Sequence, residues 1–543
     1  MKLWSVCVAA GLLLGVPLGA QVAAHAPNSA SELRTARAFD KAKAGGPLEL
    51  NAFLREMPKG GELHMHLSGA VYAETYIKEA AEELLCVNPA TLSLTKNVGT
   101  TRRMPPQAVC AEGSVSAASV LKDQKLYDEL VDGFSMKSYT PSEGWSGHDQ
   151  FFATFGRFGT LAATHKGEWL DEVATRAASQ NEQYLEILDT PSFQASVKLG
   201  YELGWPGQLK PVTTAETSAG DDLTGTSREE LAALREKLLA GGVRAEAEED
   251  SREFTGELVE RERLEGCGTA AAKPACAVKI RFLYQVLRAF PPQQVFAHTL
   301  LAFEVASHDP NVVGINFVQP EDAYMAMSEY HRQMLMLDYL HSVYPQVHIS
   351  LHAGELAPGM VPPAGLRFHI RQAVELGHAD RIGHGVDVMY EDDPKALLKE
   401  MAAKKVAVEI NLTSNDVILG VTANRHSLPA YRAAGVPVAL STDDEGVSRI
   451  DLTHEYVRAA TEFGLGYLDL KKMARSALEF SFLPGGGLWA EKGVYGKVAT
   501  ACTGQVLGAA TPNAGCRAFL KENLRATEEW ELEHRFAAFE AGK

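Results

Sequence analysis

Residues 381–444 read RIGHGVDVMYEDDPKALLKEMAAKKVAVEINLTSNDVILGVTANRHSLPAYRAAGVPVALSTDD. Short apolar runs at 381–385, 406–411 and 436–441 predict strands, and 394–404 and 428–434 between them carry apolar residues at helical spacing. Strands alternating with helices predict parallel pairing through right-handed crossovers. Runs of the same kind occur upstream at 61–67, 184–188, 278–283, 312–318 and 347–352, with helical patterns over 287–307 and 324–344. Eight strands in this rhythm predict an α/β fold, a closed (β/α)8 TIM-type barrel, with an open doubly wound sheet as the competing arrangement.

The rhythm is stretched after strands one and two, where insertions are expected at about 80–145 and 205–270. The second holds an acidic helical stretch near 227–265 whose mixed charges predict a solvated surface insertion. The division expected is a leader over 1–26, an N-terminal arm over 27–56, the barrel over 57–494, and a C-terminal disulfide loop and helix over 495–543. In 27–56, Leu33, Phe39, Leu48, Leu50, Phe53 and Leu54 suit a helix packed under the barrel or an arm that builds a homodimer.

Lys2, an apolar run broken by Gly11, Gly15 and Pro17, and the Ala24-His25-Ala26 exit have the form of a secretory signal peptide. The run is too short and broken for a membrane span of about 20 residues. The expected location is therefore exported, periplasmic or secreted, with no membrane attachment once the leader is gone. Export permits disulfides. Cys7 leaves with the leader, and Cys86, Cys110, Cys267, Cys276, Cys502 and Cys516 remain as three close pairs along the chain. Six cysteines allow about fifteen connectivities. Three local loops, 86–110, 267–276 and 502–516, are the simplest, and buried free thiols the alternative. A net charge of −17 excludes nucleic-acid polymers as partners, since no basic patch offsets it.

The chemistry collects at strand ends. In Gly61-Glu62-Leu63-His64-Met65-His66-Leu67-Ser68-Gly69, residues two apart face the same way, so His64 and His66 point to one side. His352 ends the fifth strand with Glu355 three residues on, His384 ends the sixth, and Asp443-Asp444 follow the eighth. C-terminal strand ends of a parallel barrel converge on one mouth. Three His and an Asp at that mouth suit one Zn²⁺ with a position left for water.

These residues resemble the adenosine deaminase family, its exported and growth-factor-like branch included: His-Met-His on strand one, His-Ala-Gly-Glu on five, Gly-His-Gly on six and Ser-Thr-Asp-Asp on eight. Met57-Pro58-Lys59 and Ser476–Ser481 support it, and the likeness spans about 57–489 apart from the insertions. The resemblance implies hydrolytic deamination of adenosine, and of 2′-deoxyadenosine, to inosine and ammonia in purine salvage. It implies one zinc per chain on His64, His66, His352 and Asp443. His384 would hold the water and take its proton with Asp443, and Glu355 would protonate purine N1. Asp444 would bond N7 and the Gly354 amide N3. Strand four has no Lys to bridge two metals, and the chain lacks the Pro-Cys-x-x-Cys of cytidine-deaminase zinc sites.

The same resemblance places Gly314 beside the nucleoside, though a strand glycine at a packed corner reads equally well. It likens 148–155 to a lid helix with Phe152 and Phe155 as pocket walls, or as plain core. Glu321 and Asp322 follow strand four, where some relatives bind the ribose. Ser68 stands where family members usually carry an Asp for the 5′-hydroxyl. That leaves adenine, AMP and 5′-modified adenosines open as substrates, and a growth-factor-like binding protein on the same scaffold as the competing class.

Overall fold

The computed structural model describes residues 29–102, 104–161, 163–207 and 226–543. The expected leader, Cys7 and part of the second insertion lie outside the described residues. Eight strands form one parallel sheet: β1 Gly60–His66, β2 Glu182–Asp189, β3 Lys279–Leu287, β4 Val312–Val318, β5 His348–Ala353, β6 Arg381–His384, β7 Ala407–Ile410 and β8 Val438–Leu440. Each pairs with the next. The circle closes just past β8, where the Asp443 amide donates to the His64 carbonyl at 3.1 Å and the His66 amide to the Asp443 carbonyl at 3.0 Å. The expected barrel is therefore the fold, and the open sheet is excluded.

Both faces of the strands are covered. Every residue of β1 and β2 is buried, as expected of barrel strands between a packed interior and a helical ring. The crossovers start and stop on local signals. Helix Pro394–Lys404 has Asp393 accepting from the Ala396 amide and Pro at its first position, and Lys405 ends it in a left-handed conformation.

Helices Ala30–Gly45 and Pro47–Glu56 pack beneath the barrel. Phe53 meets Phe39, Tyr467 and Phe539 edge-on, with ring centroids 5.6, 6.4 and 5.4 Å away. Lys59, fully buried, ties this layer to β1 by donating to the carbonyls of Leu54, Met57 and Gln180. The acidic stretch differs from the expected solvated insertion. Helix Arg244–Glu265 buries Glu246, Asp250, Glu257, Arg261 and Glu265 along with Ala247 and Phe254. Charged side chains face inward because partners wait there: Lys166 meets Asp189 at 2.7 Å, Glu253 at 2.9 Å and Glu257 at 3.3 Å. The six described cysteines are bonded as Cys86–Cys110, Cys267–Cys276 and Cys502–Cys516. Among the described residues no helix is long and apolar enough to cross a membrane.

Candidate metal and active site

At the C-terminal mouth, His64, His66, His352 and Asp443 offer ligand atoms that all lie within 4.8 Å of one another, every residue buried. His64 Nε2 is 3.1 Å from His352 Nε2, and His66 Nε2 is 3.2 Å from it. Asp443 Oδ1 is 3.3 Å from His64 Nε2 and 3.2 Å from His66 Nε2. The other nitrogen of each ring is engaged by an acceptor. His64 Nδ1 donates to Glu409 Oε2 at 2.6 Å, His352 Nδ1 to Asn316 Oδ1 at 2.8 Å, and His66 Nδ1 to Gln285 Oε1. With hydrogens on Nδ1, three Nε2 lone pairs and a carboxylate face one point. A cation satisfies that arrangement, and an N3O donor set suits tetrahedral zinc.

A second tier beneath holds the first. Arg381 lies between Glu186 and Glu409 and stacks over Phe482 at 3.7 Å. It keeps the Glu409 carboxyl at about 2: burial pushes this group up, but the charges of Arg381 and His64 outweigh burial. Ser350 adds a hydroxyl to Glu409 at 2.9 Å, and Ser414 donates to Asp443 Oδ2 at 2.6 Å. Gly383 leaves the room His64 occupies, since an added Cβ would stand 2.6 Å from His64 Cε1. Asp443 and His384 both take left-handed backbone conformations, φ 66° and 67°, which cost non-glycine residues about 1–3 kcal/mol each and are characteristic of functional sites.

His384 and Glu355 stand beside the cluster, with His384 Nδ1 3.5 Å from Glu355 Oε1. Asn415 Nδ2 donates to His384 Nδ1 at 2.9 Å, so neutral His384 carries its hydrogen on Nε2. Burial pushes His384 down to about 3. Burial, reinforced by the charges of Asp443 and Glu321, holds the Glu355 carboxyl well above the usual range. Asp444 is likewise pushed up by burial and by Asp443. Glu355 Oε1 and Asp444 Oδ1 are buried without hydrogen-bond partners. Burial thus favours the neutral, hydrogen-bond-donating form of both carboxyls at this mouth.

The other expected residues fall in different places. The Gly354 amide, expected to reach a purine nitrogen, is taken by Glu321 Oε1 at 3.0 Å. Gly314 sits one inward position before Asn316 on β4, and an added Cβ would meet the His348 carbonyl at 2.8 Å and the Phe482 ring at 2.9 Å. That is a packed corner at the barrel floor, below the mouth. Ser68 and Phe155 line one chamber with Tyr76, Phe158, Gly159, Leu161 and Trp169, of about 270 Å³. Phe152 is half-buried on the same helix, Gly147–Phe158, and its ring lies against His148 at 4.7 Å. His148 in turn bonds Asp322 at 3.0 Å, tying that helix to the loop after β4.

Sequence reasoning did not find Glu409, Asn316, Gln285 or Arg381. A signal existed: Glu409, Asn316 and Gln285 are polar side chains flanked by apolar residues within strands, and Arg381 is a charged residue that opens one.

Residues 259–488 match the family model described as adenosine deaminase. A 136-residue stretch is 38% identical to an adenosine deaminase of Shewanella loihica, covering 25% of this chain and 38% of that protein. A 137-residue stretch is 36% identical to an adenosine deaminase of Escherichia coli, with the same coverage of 25% and 38%. The aligned stretch thus spans under two fifths of the length of these relatives. Among solved structures, the N6-methyl-AMP deaminase of Arabidopsis thaliana superposes with a TM-score of 0.47 at 19% identity, over 80% of this chain and 94% of that one. An adenine deaminase of Arthrobacter aurescens superposes with a TM-score of 0.47 at 15% identity, over 79% and 94%. The matched region holds His352, Glu355, His384, Asp443 and Asp444, whereas His64 and His66 lie before it.

Proposed function

We propose, from the premise that residues 259–488 belong to the adenosine deaminase family, that this protein is a zinc-dependent deaminase of adenosine and 2′-deoxyadenosine. The observation that carries this is the convergence of three Nε2 atoms and Asp443 beside the buried carboxyls of Glu355 and Asp444, each with an oxygen that has no hydrogen-bond partner. Purine N1 and N7 are acceptors and need donors. Glu355 gives its proton to N1, so charge does not build up on the ring when water adds at C6. Asp444 donates to N7 and fixes the ring plane.

His64, His66, His352 and Asp443 would hold one zinc ion, which when bound lowers the pKa of its water toward about 7. With the ion bound, His384 would direct Nε2–H at its water, since Asn415 occupies Nδ1. Asp443, in the accepting role the resemblance gives to His384, would take the water's proton and return it to the departing amine. Glu355, once it has given its proton, regains one as ammonia leaves and the inosine carbonyl forms.

The chamber at Ser68 favours an uncharged 5′ end. Its walls are mainly aromatic and aliphatic, and they offer no cation to a phosphate. Adenosine and 5′-modified adenosines with apolar substituents therefore rank before AMP. Three disulfides suit the exported, periplasmic or secreted setting in which purine salvage would use this enzyme.

The test mixes zinc-loaded protein with adenosine, 2′-deoxyadenosine, adenine and AMP and follows loss of the adenine absorbance band and release of ammonia. Adenosine is expected to turn over fastest. Silence with all four refutes the reading and leaves the binding-protein alternative.

A further inference from the structure

Glu321 and His369 have no part in the chemistry above, yet both are buried against it. Glu321 follows β4 and is 2% exposed. Its two oxygens grip consecutive amides of the turn after β5: Oε1 accepts from Gly354 at 3.0 Å and Oε2 from Glu355 at 2.8 Å. His369, fully buried, donates from Nδ1 to Oε1. The His369 ring is itself fixed. It stacks on Tyr330 at 4.1 Å with planes 4° apart, and the Tyr330 hydroxyl donates to the His369 carbonyl at 2.9 Å. On the other side of the turn Arg288 Nη1 donates to the His352 carbonyl at 3.0 Å.

Gly354 has φ +73°, and an added Cβ would stand 2.4 Å from Asp387 Oδ1. The chain therefore leaves strand geometry there, and its direction is set by what its amides bond. The Glu355 carboxyl has an oxygen with no hydrogen-bond partner, so its place depends heavily on its main chain.

We propose that Glu321, oriented by His369, is a positioning residue for Glu355: its carboxylate clamps the Gly354 and Glu355 amides and thereby aims the proton donor at the substrate. The inference rests on the deaminase reading for its kinetic consequence. It also reassigns Glu321 from ribose binding, since both its oxygens are occupied by protein. The clamp needs a carboxylate, because each oxygen accepts from a different N–H. An amide at this position turns an NH2 toward one of them.

Glu321→Gln is expected to lower kcat about 10- to 100-fold, the order of loss for a misplaced reacting group. KM should stay within about threefold and zinc content at wild-type level. Glu321→Asp keeps both acceptors but retracts them, and is expected to fall between. Glu246 is the control: its Oε1 accepts from the Ala195 amide at 3.0 Å and its Oε2 from the Ser196 amide at 2.6 Å, in the segment after β2. Glu246→Gln is expected to leave kcat within about twofold of wild type. Wild-type kcat in Glu321→Gln overturns the proposal. If that variant does not fold, wild-type kcat in zinc-loaded Glu321→Asp overturns it. If the wild type deaminates nothing, the functional reading fails, and the clamp is judged by hydrogen exchange over residues 352–356. Faster exchange in Glu321→Asp supports it, and unchanged exchange overturns it.

Discussion

Replacing Glu409 by Gln separates metal holding from fold. Glu409 is fully buried and binds His64 Nδ1 at 2.6 Å, Ser350 Oγ at 2.9 Å and the Arg381 guanidinium. Gln retains the shape but has one acceptor oxygen for these three donors. If its NH2 faces Nδ1, the His64 hydrogen must move to Nε2, the atom that faces His352 Nε2 at 3.1 Å and would take the metal. If its oxygen faces Nδ1, the NH2 abuts Arg381, which then keeps only Glu186 as a carboxylate partner. Loss of such an outer partner weakens metal binding about 10- to 100-fold, which is about 1.4–2.7 kcal/mol. The stability cost without metal is bounded by the penalty for breaking a buried ion pair, about 3–5 kcal/mol, and falls below it because Glu186 remains. Chelator competition reads the zinc affinity, and urea unfolding of the metal-free protein reads the fold. A Glu409→Gln protein that binds zinc as tightly as wild type would refute the reasoning that the Nδ1 acceptor selects the His64 tautomer.

Further outcomes follow from other parts of the molecule. Glu355→Gln should cut turnover on the order of 10²–10⁴-fold while zinc content and melting temperature stay near wild type; lost zinc would mean that Glu355 supports the metal instead. Asp250, which accepts from Tyr284 at 2.9 Å, is pushed up to about 8 by burial. Folding therefore takes up a proton at this site, and its contribution is complete below the unfolded value of about 3.9 and lost as pH rises through about 8. Asp250→Asn should flatten that fall in urea titrations across this window, and parallel curves for the two proteins would reject it. Replacing Cys502 and Cys516 by Ala opens a loop with a sequence separation of 14 and should destabilise the C-terminal segment by about 3 kcal/mol, read as earlier proteolysis after residue 495; an unchanged digestion pattern would count against it.

How much of the site was legible depends on the range of each interaction. His64 and His66 are two residues apart on one strand, so strand geometry alone puts them on one side. The supports are remote: Glu409 lies 345 residues from His64, Gln285 lies 219 from His66, and Asn316 lies 36 from His352. Which of the interior polar residues meets which histidine depends on the stagger of the closed barrel, a quantity no local pattern encodes. The partner of the Gly354 amide was hidden for a similar reason, since Glu321 reaches it from the neighbouring strand end. The acidic helix misled because charge predicts exposure only when no buried partner waits, and Lys166 waits here.

The sequence by itself determined the eight strands, their order and the residues that end them, because side-chain period and crossover handedness are local rules. It also marked His64, His66, His352 and Asp443 as residues that meet, since strand ends in such a barrel share one mouth. Only the tertiary structure decided which nitrogen of each histidine faces the centre, which carboxyls burial pushes toward the neutral form, and that Glu321 bonds backbone amides. Those properties arise from burial and from partners far away in the chain, and they exist only once the barrel has closed between β1 and β8.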